Sequence, residues 1–138
     1  MSRRTIAVLL VLVVGALSAT MLASPRVKLI LTDGDDMTCR LVDYGGSGFT
    51  VQVDGEEENL ALGDVAVIDF VGGTISDEEI DLFEAGRHLV VLRNGSYFYG
   101  QFADIGGSDP LRLTFKVRGG NRVVSSNEVR RIFLNELD

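Results

Sequence analysis

Basic side chains in the second half of the chain are the groups best suited to bind a charged ligand. Residues 111–117 alternate between apolar and polar types, which is typical of a strand with one buried face. The alternation leaves Arg112 and Lys116 on the polar side. Arg118 shares this polar face at the end of the strand, and Arg122 lies across the next turn. The pattern fits ordinary solvation of a strand face, and it also predicts a site for an anionic polymer or lipid.

Two tyrosines form a second candidate binding feature. In the run Tyr97-Phe98-Tyr99, alternation along a strand turns Phe98 to one face and both tyrosines to the other. If Phe98 shares the core with Phe102, the tyrosines lie side by side on the outer face. Two interpretations stay open: cross-strand packing at a sheet edge, or an exposed patch that binds a peptide, a glycan or another subunit.

The acidic residues do not predict a catalytic or metal site. The acidic turns at 33–36 and 54–58 lack the ordered spacing of oxygen ligands that a calcium loop requires, so we expect solvated hairpin tips. Their carboxylates show no pairing suited to acid–base hydrolysis. We therefore expect no enzyme activity, no catalytic residue, no metal and no cofactor.

The single histidine and the single cysteine have no chemical partners at a recognisable spacing. His88 has no Ser, Cys or second His placed as a catalytic partner, so we expect a surface or strand-edge histidine. Cys39 is the only cysteine, which excludes an intrachain disulfide. We expect Cys39 to be a small buried side chain and not a reactive thiol.

The elements that position these residues occur twice along the chain. The turn glycines Gly34 and Gly95 lie 61 residues apart, and so do the Gly-Gly-Ser triplets at 45–47 and 106–108. Farther along, the offset becomes 64 and matches Ile68 with Ile132. A consistent offset of this kind indicates an internal repeat, and recognising it decides the fold. We therefore predict two copies of one series of short strands.

The domain organisation follows from the repeat. A hydroxyl at Ser76 and a carboxylate at Glu79 form a capping box, which predicts one short helix between the copies. Each copy has only about 45–50 residues and is marginal alone, so we expect the copies to pack together. The predicted segments are an N-terminal signal or anchor at 1–24, a first repeat at 27–71, a linker with the helix at 72–87, and a second repeat at 88–138.

The start of each copy resembles a known family. The run at 92–95 ends in Gly95, Gly100 follows, and apolar Phe102 comes two residues later. This resembles the first half of the Sm motif of Sm and Lsm proteins, and it is similar to the opening of SH3-like and PRC-barrel-like domains. The first copy carries Cys39 at the position of Gly100. The resemblance implies a mainly β fold of two tandem small Sm-like or SH3-like barrels, packed as a pseudo-symmetric body.

The resemblance does not carry the RNA function with it. Sm proteins bind RNA through an Asp and Asn pair in the loop after the second long strand. The loop at 106–109 does not reproduce that pair. We therefore carry over the barrel class and expect no nucleic acid as a partner.

The N-terminus predicts export. Arg3 and Arg4 precede an uncharged, largely apolar stretch at 5–24, and small residues follow near its end. The stretch is long enough to span a membrane, so a cleaved signal and a retained anchor both stay open. In either case the positive flank predicts that the folded part lies outside the cytoplasm, in the periplasm or extracellular space. If the stretch is uncleaved, it is the predicted membrane contact.

The charge of the two copies differs in sign. Residues 27–71 carry two basic against ten acidic side chains, whereas residues 88–138 carry seven basic against five acidic. Opposite fields of this kind can steer the copies together, within one chain or head-to-tail between chains. The overall pI near 4.6 disfavours nucleic acid.

These observations lead to three hypotheses for the function. The first is a non-catalytic structural or protein-interaction module of the cell envelope, with an envelope protein or a second copy as partner. The second is binding of an anionic polymer or lipid through the basic face of the second repeat. The third, RNA binding by analogy to Sm proteins, is disfavoured.

Overall fold

The computed structural model describes residues 25–137 of the chain. The predicted N-terminal signal or anchor, which we expect to be a hydrophobic helix, falls in 1–24 and lies outside the described residues. Five strands form before the helix: β1 Arg26–Leu31, β2 Asp36–Gly45, β3 Gly48–Val53, β4 Glu56–Ala61 and β5 Val65–Asp69. Five follow it: β6 His88–Leu92, β7 Tyr97–Gly107, β8 Leu111–Val117, β9 Gly120–Ser125 and β10 Val129–Phe133. The helix α1 spans Asp77–Leu82, and a 3-10 turn spans Leu62–Asp64.

All ten strands form one antiparallel sheet, in the order β4-β3-β2-β1-β5-β10-β6-β7-β8-β9. The order within one half mirrors the order within the other. The halves meet at a central seam, the pairing of β5 with β10, where Ile68 lies opposite Ile132. These two residues also match each other in the sequence repeat. An approximate two-fold axis therefore passes through the seam. The mainly β fold with one short helix is confirmed.

Each half is bent by its second strand, which pairs with two different neighbours along its length. The start of β7 pairs with β6, and the part from residue 101 onward pairs with β8. Gly100 lies at the crossover, where an added Cβ would come within 2.8 Å of the Lys116 carbonyl oxygen. A glycine is needed there because the backbones approach so closely. In β2 the corresponding position holds Cys39, which is buried.

The bending closes the two halves over a single core. Phe102 of β7 lies 5.4 Å from Phe49 of β3 and 4.9 Å from Tyr44 of β2, measured between ring centroids. Aromatic rings at this spacing pack favourably beyond the area they bury. The buried cluster contains side chains from both halves, among them Leu29, Leu41, Val51, Ile68, Val90, Leu113, Phe115 and Ile132. The sheet and its core are thus continuous from one half to the other.

A smaller apolar cluster lies on the other side of the seam, under α1. Ser76 accepts a hydrogen bond from the Glu79 amide at 3.1 Å, and Glu79 accepts one from the Ser76 amide at 3.3 Å. This capping box begins the helix at the residues that the sequence predicted. The cluster beneath it consists of Ala66, Val67, Leu89, Val91 and Phe133. The helix therefore covers the seam between the two halves.

Candidate functional site

A basic groove of about 410 Å³ opens on the second half of the molecule. Its polar lining comes from Arg87, Tyr99, Gln101, Lys116 and Arg118. β7 and β8 position its centre, because Gln101 lies directly opposite Lys116 in their pairing. Arg118 follows the end of β8, and Arg87 directly precedes β6. The backbone at Gly100 forms the floor between them.

An arginine and a tyrosine are stacked on one side of the basic groove. The Arg87 guanidinium carbon lies 3.9 Å from the centroid of the Tyr99 ring, which is a close cation–π distance. Tyr97 contacts the same ring edge-on, with centroids 5.9 Å apart. The Tyr99 hydroxyl donates a hydrogen bond to the Leu82 carbonyl at 2.6 Å, which fixes the ring. Burial, and then the nearby Glu84 carboxylate, raise the pKa of Tyr99 above its ordinary value.

Three of the predicted binding residues meet in the groove. Tyr99, Lys116 and Arg118 line it, and Tyr97 flanks it through the ring contact. Its three cations, counting Arg87, line the same groove as this fixed aromatic ring. Such a set can bind an anionic group by charge-assisted hydrogen bonds while stacking a flat or apolar part of the same ligand.

The other two predicted residues lie elsewhere. Arg112 extends across Gly106 of β7, and its Nη2 lies 3.1 Å from where a Cβ would be. Arg122 stacks on Phe98, with its guanidinium carbon 4.1 Å from the ring centroid. Arg122 and Lys116 lie on opposite faces of the sheet because side chains alternate along a strand. Arg122 is paired with the core-facing Phe115, whereas the neighbouring Asn121 is paired with Lys116. The four basic residues therefore do not form one surface.

Sequence reasoning missed Arg87. It belongs to the linker between the copies, and no periodic pattern connects it with the strands. Its position depends on how the linker returns to the sheet, where Gln101 Nε2 donates to the Gly86 carbonyl at 3.1 Å. The only sequence signal for Arg87 is that a basic residue directly precedes an apolar strand.

No family model, curated protein or solved structure matches this chain. The site is therefore interpreted from its own chemistry.

The two ends of the sheet are a second surface with binding potential. Within residues 25–137, β4 and β9 are the outermost strands, and each has one side that no other strand of this part of the chain adjoins. We call the first the acidic edge, because Glu56, Glu57 and Glu58 are all exposed on it. The second, the β9 edge, presents Arg122 and Val123, the latter 56% exposed. The edges therefore differ in charge.

A buried ionic cluster crosses the central seam, and the sequence did not predict it. Arg131 of β10 is 2% exposed and lies opposite Asp69 of β5. Its Nη1 donates to both carboxylate oxygens of Glu79, at 2.9 and 2.8 Å, and its Nη2 donates to the Gly72 carbonyl at 2.7 Å. The guanidinium is enclosed by protein, so this cluster has a structural role and offers no access to a ligand.

His88 and Cys39 are also enclosed. The expectation of a surface or strand-edge His88 is wrong, because the side chain is 7% exposed and its Nδ1 accepts a hydrogen bond from the Phe102 amide at 2.9 Å. Burial lowers the pKa of His88. Cys39 is buried as predicted, and burial followed by the charge of Glu58 raises the pKa of its thiol to about 11.

Residues 25–137 contain no group of three or more His, Cys, Asp or Glu side chains that could hold a metal ion. No helix in this part of the chain is long and apolar enough to cross a membrane.

Proposed function

We propose that this chain is a non-catalytic protein-interaction module of the cell envelope. The observation that supports it best is the pair of open strand edges at the two ends of one continuous sheet. An open edge presents unpaired backbone N–H and C=O groups, which bind another strand readily. The pattern at the N-terminus, Arg3 and Arg4 before the stretch 5–24, supports export.

We also propose that each half is a small Sm-like or SH3-like unit. Support comes from the strand that changes partners at Gly100, and from the turn glycine Gly95 before it, whose φ is 93°. Together they make a short turn and a sharp bend, which a small barrel requires. The two units would share one core and would not be separate barrels.

Site-specific photocrosslinking tests the interaction function. A photoreactive amino acid is placed at Asn59 on the acidic edge or at Val123 on the β9 edge, in the full chain expressed in its own cell type. The matched control is Asp81, which is exposed on α1 away from both edges. We expect protein adducts from the edge positions and few from Asp81. Adducts that are absent, or equal at all three positions, would contradict the proposal.

A second candidate function is binding of an anionic polymer or lipid in the basic groove. Its support is that Arg87, Lys116 and Arg118 line one groove, with Arg87 stacked on the Tyr99 ring. Vesicles of anionic lipid and soluble polyphosphate are suitable probes, with neutral vesicles as the reference. Binding should weaken as salt rises and should be lost in Arg118→Glu. Arg112→Glu is the matched control, since Arg112 is exposed and lies outside the groove. Equal binding by both variants would reject this function.

A further inference from the structure

We propose that β4 of one molecule pairs antiparallel with β9 of a second copy, so that molecules join head-to-tail through their sheets. This inference rests on the proposed function and names the partner, a second copy of this chain. It is carried by three observations: which backbone groups of each edge face outward, the charges on the two edges, and the register that satisfies both.

The ladder pattern shows which residues of the acidic edge have free backbone groups. The Leu62 amide donates to the Ser47 carbonyl at 2.9 Å, and this bond continues the pairing of β3 with β4. Because hydrogen-bonded and non-bonded pairs alternate in antiparallel strands, Leu60 and Glu58 bond inward to β3. Glu57 and Asn59 then direct their N–H and C=O groups away from the sheet.

The same reasoning applies to the β9 edge. The Ser126 amide donates to the Leu111 carbonyl at 2.9 Å, which continues the pairing of β8 with β9. Val124 and Arg122 therefore bond inward, and Asn121 and Val123 direct their backbone groups outward. Each edge thus contains a pair of outward residues on either side of one inward residue: Glu57 and Asn59 around Glu58, and Asn121 and Val123 around Arg122.

The charges select which edges meet. Glu58 and Arg122 occupy equivalent positions in the two halves, 64 residues apart, and they carry opposite charge. Two acidic edges would set glutamates against glutamates, and two β9 edges would set Arg122 against itself. Like charges directly opposite each other destabilise strand pairing, whereas opposite charges stabilise it. Only the pairing of unlike edges is favourable.

One register satisfies backbone and charge together. If Glu57 is paired with Val123 of the second copy and Asn59 with its Asn121, both pairs join outward backbone groups. The inward residue between them, Glu58, then lies opposite Arg122 of the second copy. Both side chains project from the core side of their sheets, since Glu58 is paired with buried Val51 and Arg122 with buried Phe115. The combined sheet is therefore continuous.

The geometry of this interface also sets the form of the assembly. Each molecule uses two different surfaces, so every pair leaves one acidic edge and one β9 edge free. A heterologous contact of this kind produces a ring if the rotation closes and a chain if it does not. The edges have six residues each, so we expect association to be weak and salt-sensitive.

Sedimentation velocity on the purified full chain and on its charge-reversal variants tests the inference. In the proposed register Glu58→Arg places an arginine opposite Arg122 of the next copy, and Arg122→Glu places a glutamate opposite Glu58. We expect each variant alone to lose at least tenfold in association, and the equimolar mixture of the two to regain it. Asp81→Arg is the matched control and should associate like the parent. Arg122→Gln removes the charge without reversing it, so its association should be weaker than that of the parent and stronger than that of Arg122→Glu. Circular dichroism verifies that every variant is folded.

The outcomes are decisive in both directions. Charged residues also prevent edge pairing in many monomeric proteins. A parent chain that stays monomeric at all concentrations, or a mixture that associates no better than its components, would overturn the inference. If crosslinking at Asn59 and Val123 still trapped other proteins in that case, the interaction function would stand without self-association. Absence of both results would remove the function as well.

Discussion

Arg131 lies directly opposite Asp69 in the pairing of β10 with β5, and its Nε is 3.3 Å from Asp69 Oδ1. Both side chains are almost completely enclosed, at 3% and 1% exposure. Asp69 Oδ1 also accepts hydrogen bonds from the Val71 and Gly72 amides, at 3.0 and 2.8 Å. One guanidinium therefore connects the last strand of each half with the helix that covers the seam.

Replacing that arginine should destabilise the whole molecule. Arg131→Met removes the only cation that the buried carboxylates of Asp69 and Glu79 contact in the described residues. Breaking a buried ion pair from one side costs about 3–5 kcal/mol, because the partner's charge stays buried without compensation. Urea unfolding measures the change. The control is Arg130→Met at the neighbouring, less buried position, where we expect about 1 kcal/mol. Equal losses would contradict the special role of Arg131.

Two glycines should resist replacement because the backbones they face are too close. An added Cβ would come within 2.1 Å of the Leu60 carbonyl oxygen at Gly48 and within 2.8 Å of the Lys116 carbonyl oxygen at Gly100. We expect Gly48→Ala to cost about 3 kcal/mol and Gly100→Ala about 1–2 kcal/mol, as overpacking does. Gly63→Ala has no atom within 4 Å of its Cβ and should change stability by less than about 0.5 kcal/mol. Thermal unfolding measures the loss of stability in the three variants, which should be largest for Gly48→Ala and smallest for Gly63→Ala. A reversed order would contradict the close approach of the backbones.

Stability should fall as pH decreases from neutrality, and His88 is one cause. Burial lowers its pKa below the ordinary 6.5, so in the window below 6.5 the unfolded chain binds a proton that the folded chain does not. Stability is then lost as pH falls, by at most about 1.4 kcal/mol per pH unit for one proton, until the folded pKa is reached. Protonated Nδ1 also cannot accept from the Phe102 amide.

His88→Asn separates this effect from the titration of carboxylates. The amide oxygen of asparagine can accept the Phe102 hydrogen bond but does not titrate. Between about pH 5 and 7 we expect the free energy of unfolding to depend less on pH in this variant than in the parent. Equal slopes in urea titrations at several pH values would contradict the assignment.

Cys39 should be unreactive in the folded protein. A pKa of about 11 leaves roughly a hundredfold less thiolate near pH 8 than a pKa of 9 would, and burial restricts access further. A colorimetric thiol reagent should therefore label the native chain slowly and the urea-unfolded chain at once. Asn127→Cys adds a thiol at an exposed turn and should react rapidly in the native state. Rapid labelling of Cys39 in the folded parent chain would show that the residue is accessible.

Local patterns predicted the individual elements well. The alternation over Leu111–Val117, the glycine turns and the Ser76–Glu79 capping box each depend on neighbouring residues, and each formed as expected. The order of strands does not depend on neighbours. The two halves join through the pairing of β5 with β10. No local sequence pattern predicts that these two strands are the ones that meet.

The sequence misled most where a residue's surroundings come from distant parts of the chain. Arg131 reads as one more surface cation, yet Glu79 lies 52 residues away in the chain and joins it inside the protein. Strict alternation would put Val65 and Val67 on one face, whereas an irregularity in the β1–β5 pairing puts Val67 under α1. Similarly, His88 is enclosed because the bent β7 returns over it.

The central seam has a consequence for which halves can recognise each other. In the repeat, Val67 is equivalent to Arg131, and Asp69 to Phe133. Two first halves joined in the same way would set Asp69 against Val67 twice, and two second halves would set Arg131 against Phe133 twice. Both arrangements would bury charges without a partner, which is strongly unfavourable. The seam therefore favours the pairing of a first half with a second half over the pairing of two identical halves. Two halves produced as separate chains should form mixed pairs.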